Sequence, residues 1–219
     1  MKFVSVQNHF HRVDPIIAAV LDQMQERILM PSADASQYFS KVCLEIISQQ
    51  LSTKVATVIS QRFVALFPDA RPTSEAVLVL SETELRSVGL SGAKIKYIKD
   101  LAAKTISTEV KWSQLAELDN EDVIAELTKV KGIGRWTAEM FLIFTLGRED
   151  VFSDGDLGLK KALINLYNLD EHIDKKTYLE KTVAITAAWA PYRSYGSLAL
   201  WWSLDNKFYP EMKNSQMIK

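Results

Sequence analysis

Apolar residues in this chain recur with helical period almost from end to end, and that pattern restricts the fold more than any other feature. Val13, Ile16, Ile17, Val20, Leu21, Met24 and Ile28 follow the i, i+3, i+4, i+7 spacing, with Asp14-Pro15 as cap and first turn. Phe39, Val42, Cys43, Ile46 and Ile47 repeat it. Ser52 then reads as a fresh N-cap for a helix carrying Val55, Val58, Ile59 and Phe63. Gln50 and Leu51 are left on a short exposed turn between the two. Ser81-Glu-Thr-Glu84 has capping-box spacing, and Gly89 suits the end of the short helix that follows. Ile95, Ile98, Leu101 and Ala102 mark another helix. Val123, Ile124 and Leu127 lead into Gly132-Ile133-Gly134, and Ala138, Phe141 and Leu142 lead out of it. Leu159, Leu163 and Leu166 form one more stripe, and an aromatic-rich run from Ser194 to Phe208 is the last. No period-2 strand set, internal repeat or low-complexity linker interrupts the series. The expected fold is all-α, with about ten helices at ordinary helix and connection lengths.

A chain of 219 residues is long enough for one unit with two lobes. Lobe one is expected from about residues 1–68 plus 170–219, and lobe two from about 69–169, which holds the glycine turn. A cleft between such lobes is the natural place for a substrate. No apolar run reaches the length of a membrane span, and no N-terminal secretion signal is read. Cys43 is the single cysteine, so neither an internal disulfide nor a cysteine-ligated iron–sulfur cluster is expected. The formal net charge of −1 is not that of a generally basic nucleic-acid binder. Any such face must be local. The clusters available are Lys94, Lys96 and Lys99; Lys129, Lys131 and Arg135; and Lys160 with Lys161.

Two features carry chemistry. Glycines in Gly132-Ile133-Gly134 let the backbone curl tightly with N–H groups pointing outward, and the positive end of the next helix adds to anion affinity. Lys131 and Arg135 add mobile charge. Downstream, Ser153-Asp-Gly-Asp156 puts an aspartate at a helix start, where N–H groups favour the charged carboxylate. Each feature alone has a plainer explanation: a tight helical hairpin, and an N-cap. Asp154 competes with Asp156 for the second role.

The combination is more specific. Leu127-x-x-Val130-x-Gly-Ile-Gly-Arg-Trp-Thr-Ala138, followed by Val151-Phe-Ser-Asp-Gly-Asp156-Leu-Gly, resembles the helix–hairpin–helix (HhH-GPD) DNA glycosylases. The branch it resembles most is the 3-methyladenine DNA glycosylase II type. Ile46-Ile-Ser-Gln-Gln-Leu-Ser52, Gly89-Leu-Ser-Gly-Ala-Lys94 and Ala188-Trp-Ala-Pro-Tyr-Arg-Ser-Tyr195 extend the likeness over about residues 43–202. The resemblance implies Asp156 as the catalytic carboxylate. It implies Trp136, Trp201, Met140 and Tyr195 around a base pocket, with Met140 standing where some relatives have tyrosine. Gly132, Ile133, Gly134, Arg135, Lys131, Ser52 and Lys94 become DNA-backbone contacts, and Gln50 or Leu51 the plug that fills the gap left by a flipped base. A nucleophilic lysine sits two residues after the second glycine in relatives that also nick the strand. Here that residue is Trp136, which cannot form a Schiff base, so base removal alone is expected.

Alkylated purines in double-stranded DNA are therefore the expected substrate, because indole faces attract a base that carries positive charge. No cofactor or catalytic metal is expected, although the resemblance implies a place for a monovalent cation at the hairpin. One site per chain suggests a monomer that does not engage membranes. Its place would be the cytoplasm and nucleoid of a prokaryote or the nucleus of a eukaryote. The alternatives are a relative acting on another damaged base and a DNA lesion-binding module without turnover.

Overall fold

The structure is a computed structural model and describes residues 2–24, 30 and 32–209. Among those residues it has twelve α-helices and no strand, in agreement with the all-α expectation. They divide into two compact units, one of residues 1–30 with 148–219 and one of residues 31–147. The division falls after residues 30 and 147, not near residues 68 and 169 as the hydrophobic pattern alone suggested.

In the first unit, α1 (Lys2–Val13) and α2 (Pro15–Gln23) pack on each other, and α2 packs on α12 (Arg193–Asn206). Asp14 caps α2, accepting from the N–H groups of Ile16 and Ile17 at 3.1 Å. Val13 ends α1, and α2 stops at Gln23 in an extended Met24, so one helix does not run from Val13 onward. Ile28 lies outside the described residues. α10 (Leu157–Leu166) also packs on α12, which is why residues 148–169 belong with the chain ends. Phe10, Ile17, Leu21, Leu159, Leu163, Trp189 and Leu200 form the heart of this core. α11 (Lys175–Ala187) buries Tyr178, Thr182 and Thr186, so polar side chains sit on its inner face and its apolar period is weak.

The second unit is organised around α3 (Tyr38–Ser48). It packs on α4 (Thr53–Val64), α7 (Gly92–Ile106) and α9 (Arg135–Phe144), and this holds residues 31–68 with the middle of the chain. α5 (Ser74–Val79) and α6 (Glu82–Ser87) lie against α7. The capping box at Ser81 and Glu84 forms both of its bonds, and Gly89 takes φ +103° just after α6. α8 (Asn120–Thr128) packs on α9, and the glycine turn joins them.

Candidate active site

In the first unit, the Asp156 N–H donates to the Ser153 carbonyl at 3.1 Å, closing a turn that sets Asp156 as the N-cap of α10. Its Oδ1 accepts from the Leu159 N–H at 2.7 Å and from Trp201 Nε1 at 3.1 Å. Asp156 is therefore both the cap that its position suggested and a carboxylate oriented from a second helix. It is 8% exposed, whereas Asp154 is exposed two residues earlier. Gly158 makes this approach possible. A Cβ there would lie 3.0 Å from Asp156 Oδ1 and 3.2 Å from the Trp201 ring. Its role was not read from the sequence, because the ring it accommodates is more than forty residues away.

The remaining residues expected at a base pocket divide into two kinds. Trp136, in the second unit, keeps 41% of its surface exposed at the start of α9, and Trp201 is half-buried. Met140 and Tyr195 are 5% and 2% exposed. Tyr195 belongs to the first unit's core, with its hydroxyl donating to Glu149 Oε1 at 2.9 Å. Burial, then the Glu149 carboxylate, raises its pKa well above the ordinary phenol value. Arg193 forks onto Asp150 at 2.6 and 2.8 Å, and this pair holds the Asp150 carboxyl below its usual range.

In the second unit the hairpin has two glycines with different reasons. Gly132 has φ +82°, and a Cβ on it would sit 2.2 Å from the Tyr97 ring. Gly134 has φ −94° and open space where a Cβ would stand. It is also the N-cap of α9, with no side chain capping that helix end. Ile133 is buried and its N–H donates back to Val130. The turn at Gln50 and Leu51 is exposed as expected, and Gln50 takes φ +56°. Ser52 stands at the N-cap of α4 but makes no side-chain cap bond.

The basic side chains expected on phosphates are largely engaged within the chain. Arg135 contacts both oxygens of Glu121 at 2.8 and 2.5 Å, and its Nε reaches Glu139 at 2.9 Å. The hydrogen-bonded Glu121 pair raises the Arg135 pKa and lowers that of Glu121. The Lys131 N–H donates to Asp100 Oδ2 at 2.8 Å, with its ammonium 3.7 Å from the other oxygen. Lys129 pairs with Glu126. Lys94 donates to the carbonyls of Ile47 at 2.7 Å and Gln49 at 2.9 Å, instead of pointing outward as a free phosphate ligand. Lys160 lies 5.0 Å over the Tyr178 ring, and with Lys161 it lines a shallow groove of about 410 Å³ on α10.

Three carbonyls around the hairpin, those of Lys129, Val130 and Gly132, already accept hydrogen bonds from Lys104, Ile133 and Gln49. Among the described residues no cluster of three or more His, Cys, Asp or Glu side chains is arranged to hold a metal. No helix among them is long and apolar enough to cross a membrane.

An all-α chain with a glycine hairpin between two helices is a helix–hairpin–helix protein. The profile of the HhH-GPD superfamily base excision DNA repair protein matches residues 43–186, and the chain belongs to that family. It is 36% identical over 172 residues to DNA-3-methyladenine glycosylase 1 of Schizosaccharomyces pombe, covering 78% of this chain and 74% of that one. It is 33% identical over 166 residues to the putative DNA-3-methyladenine glycosylase YfjP of Bacillus subtilis, covering 73% of this chain and 56% of that longer protein. Among solved structures, the 3-methyladenine DNA glycosylase Mag1 of S. pombe, in complex with abasic DNA, superposes with a TM-score of 0.80 at 30% identity. That match covers 92% of this chain and 97% of the other.

Proposed function

We propose that this chain is a monofunctional DNA glycosylase that hydrolyses the N-glycosidic bond of alkylated purines, of the 3-methyladenine and 7-methylguanine type, in duplex DNA. The observation that carries it is the Asp156 carboxylate, buried at a helix start and aimed by the Leu159 N–H and the Trp201 indole. As the bond from C1′ to the base nitrogen breaks, its electron pair leaves with the base and neutralises the charge that alkylation put there. Positive charge then develops on the sugar. A carboxylate about 4 Å away supplies roughly 4 kcal/mol at an effective dielectric of about 20, or about three decades of rate. Water adds to C1′, and Asp156 takes its proton. The base must leave the stack to be reached, and Gln50 or Leu51 fills the gap. Trp201, beside Asp156, offers a ring face to a cationic base, worth about 0.5–2 kcal/mol. Trp136 leaves the lyase position without an amine, so the product is an abasic site on an unbroken strand.

The DNA grip is assigned to the uncapped end of α9. Gly132 is required by its own φ and by Tyr97, whereas nothing inside the chain demands glycine at position 134. A bare Cα at a helix N-terminus lets a phosphate approach the backbone closely. Gly134→Ala is therefore expected to keep the fold within about 1 kcal/mol, the usual scale of an N-cap change. It should weaken duplex binding at least tenfold. Gly132→Ala should lose both stability and binding. Thermal unfolding beside fluorescence-anisotropy titration separates the two, and an unchanged affinity in Gly134→Ala removes this assignment.

The function itself is tested on duplexes carrying one 3-methyladenine, 7-methylguanine, hypoxanthine or 8-oxoguanine. Release of the alkylated bases, with breaks appearing only after alkali, is the expected result. Direct nicking would make the enzyme a lyase, release of only the deaminated or oxidised base would change its substrate class, and binding without release would make it a sensor.

A further inference from the structure

Gln49 and Lys94 form a junction that the proposed chemistry does not use. α3 ends at Ser48, and the next residues carry the exposed turn. Lys94, two residues into the first turn of α7, sends its ammonium to the Ile47 and Gln49 carbonyls, the last acceptors before Gln50. The Gln49 side chain runs the other way. Its Nε2 donates to the Gly132 carbonyl at 3.0 Å and to Thr137 Oγ1 at 3.1 Å. The orientation of that amide follows from chemistry, because the Gly132 carbonyl can only accept and so must face nitrogen. Thr137 is 5% exposed, and the bond to it is half-buried. Both amide hydrogens are used, one on the hairpin and one on the first turn of α9. Gln50 is held between these anchors in the left-handed region, where a non-glycine residue stays only when its surroundings impose it.

We infer that Gln49 and Lys94 are positioning residues that lock the Gln50–Leu51 turn to the hairpin, so that filling the stack and gripping the phosphate occur as one event. The inference rests on the glycosylase reading above. It assigns Lys94 to the end of α3 in place of the phosphate contact that its basic cluster suggested. Burial lowers the Lys94 pKa, in keeping with an ammonium turned into the protein. Loss of the lock should matter most when the turn has to help extrude a paired base. It should matter little when the lesion already lacks a partner, because unstacking an unpaired base costs less.

The test is single-turnover excision of 7-methylguanine by the full chain, with the lesion paired to cytosine or placed opposite an abasic analogue. Gln49→Leu and Lys94→Met are expected to slow excision about tenfold or more on the paired duplex and less than about threefold on the unpaired one, since one tenfold step corresponds to about 1.4 kcal/mol. Thr137→Val, which removes a single acceptor with little change of volume, should show the same pattern more weakly and keeps the test open if Gln49→Leu folds poorly. The salt dependence of binding to undamaged duplex should be unchanged in Lys94→Met. A phosphate contact would instead reduce the slope of log K against log salt by about one. Equal losses on both substrates, or a reduced salt slope for Lys94→Met, overturn the lock. Normal excision by all three variants overturns it as well. Failure of the unmodified chain to release any base overturns the glycosylase reading and takes this inference with it.

Discussion

Asp156→Asn is expected to leave the protein folded and to reduce single-turnover base release by at least about three decades, the electrostatic contribution of one carboxylate near a developing cation. Asparagine serves as well as aspartate at an N-cap, so α10 keeps its start. Its side-chain oxygen can still accept from the Leu159 N–H and from Trp201 Nε1, the two groups that hold the present carboxylate. What disappears is charge and basicity. Stability is expected to fall by no more than about 1 kcal/mol, within the range of cap substitutions. Affinity for a duplex with an uncleavable abasic analogue should change little, because phosphate contacts set most of it. Asp154→Asn is the matched control at an exposed position and should keep its activity. Retained excision in Asp156→Asn, or loss in the control, would move the catalytic role to the other aspartate.

The elements that could be read from sequence are those whose cause lies within one helical turn. Asp14 before Pro15, the Ser81–Glu84 box, Gly89 and Asp156 all act on N–H groups or dihedral angles within three residues of themselves. The exposed turn at Gln50 and Leu51 was legible for the same reason, since two helical patterns fall out of phase there. Illegible were the partners supplied from afar. Gln49 meets Gly132 and Thr137 across more than eighty residues, and nothing in its neighbourhood announces that. The acids that engage the basic clusters from other elements, Glu121 on Arg135 and Asp100 on Lys131, are likewise invisible to a local count of charge. Pattern also misplaced the unit boundaries. A helix's period shows that it has an inner face but not what covers it, and α3 and α10 are covered by elements distant in the chain.

Asp14→Ala is expected to be among the most destabilising single changes in the chain, costing about 3–5 kcal/mol, although Asp14 has no part in the chemistry. Three mechanisms converge on one carboxylate. Oδ1 caps α2, a bond set whose loss typically costs about 1 kcal/mol. Oδ2 accepts from Trp189 Nε1 at 2.7 Å and from the Tyr167 hydroxyl at 2.5 Å. Trp189 is 0% exposed, so its indole N–H has no water to turn to, and an orphaned buried donor costs about 1–3 kcal/mol. Tyr167 is also held in a surrounding that disfavours its ionised form, first by burial and then by the Asp14 charge. Domains are stable by only about 5–15 kcal/mol, so the midpoint of urea unfolding, read by tryptophan fluorescence, should shift strongly. Trp189→Phe removes the donor together with its need and should cost less than Asp14→Ala. In the double variant the two costs should fall short of their sum, because the orphaned N–H is gone. Additive losses would show that the indole bond contributes nothing and that Asp14 acts through the α2 cap and Tyr167. Base release per folded molecule should remain that of the unmodified chain in both single variants, which separates this scaffold aspartate from the one at position 156.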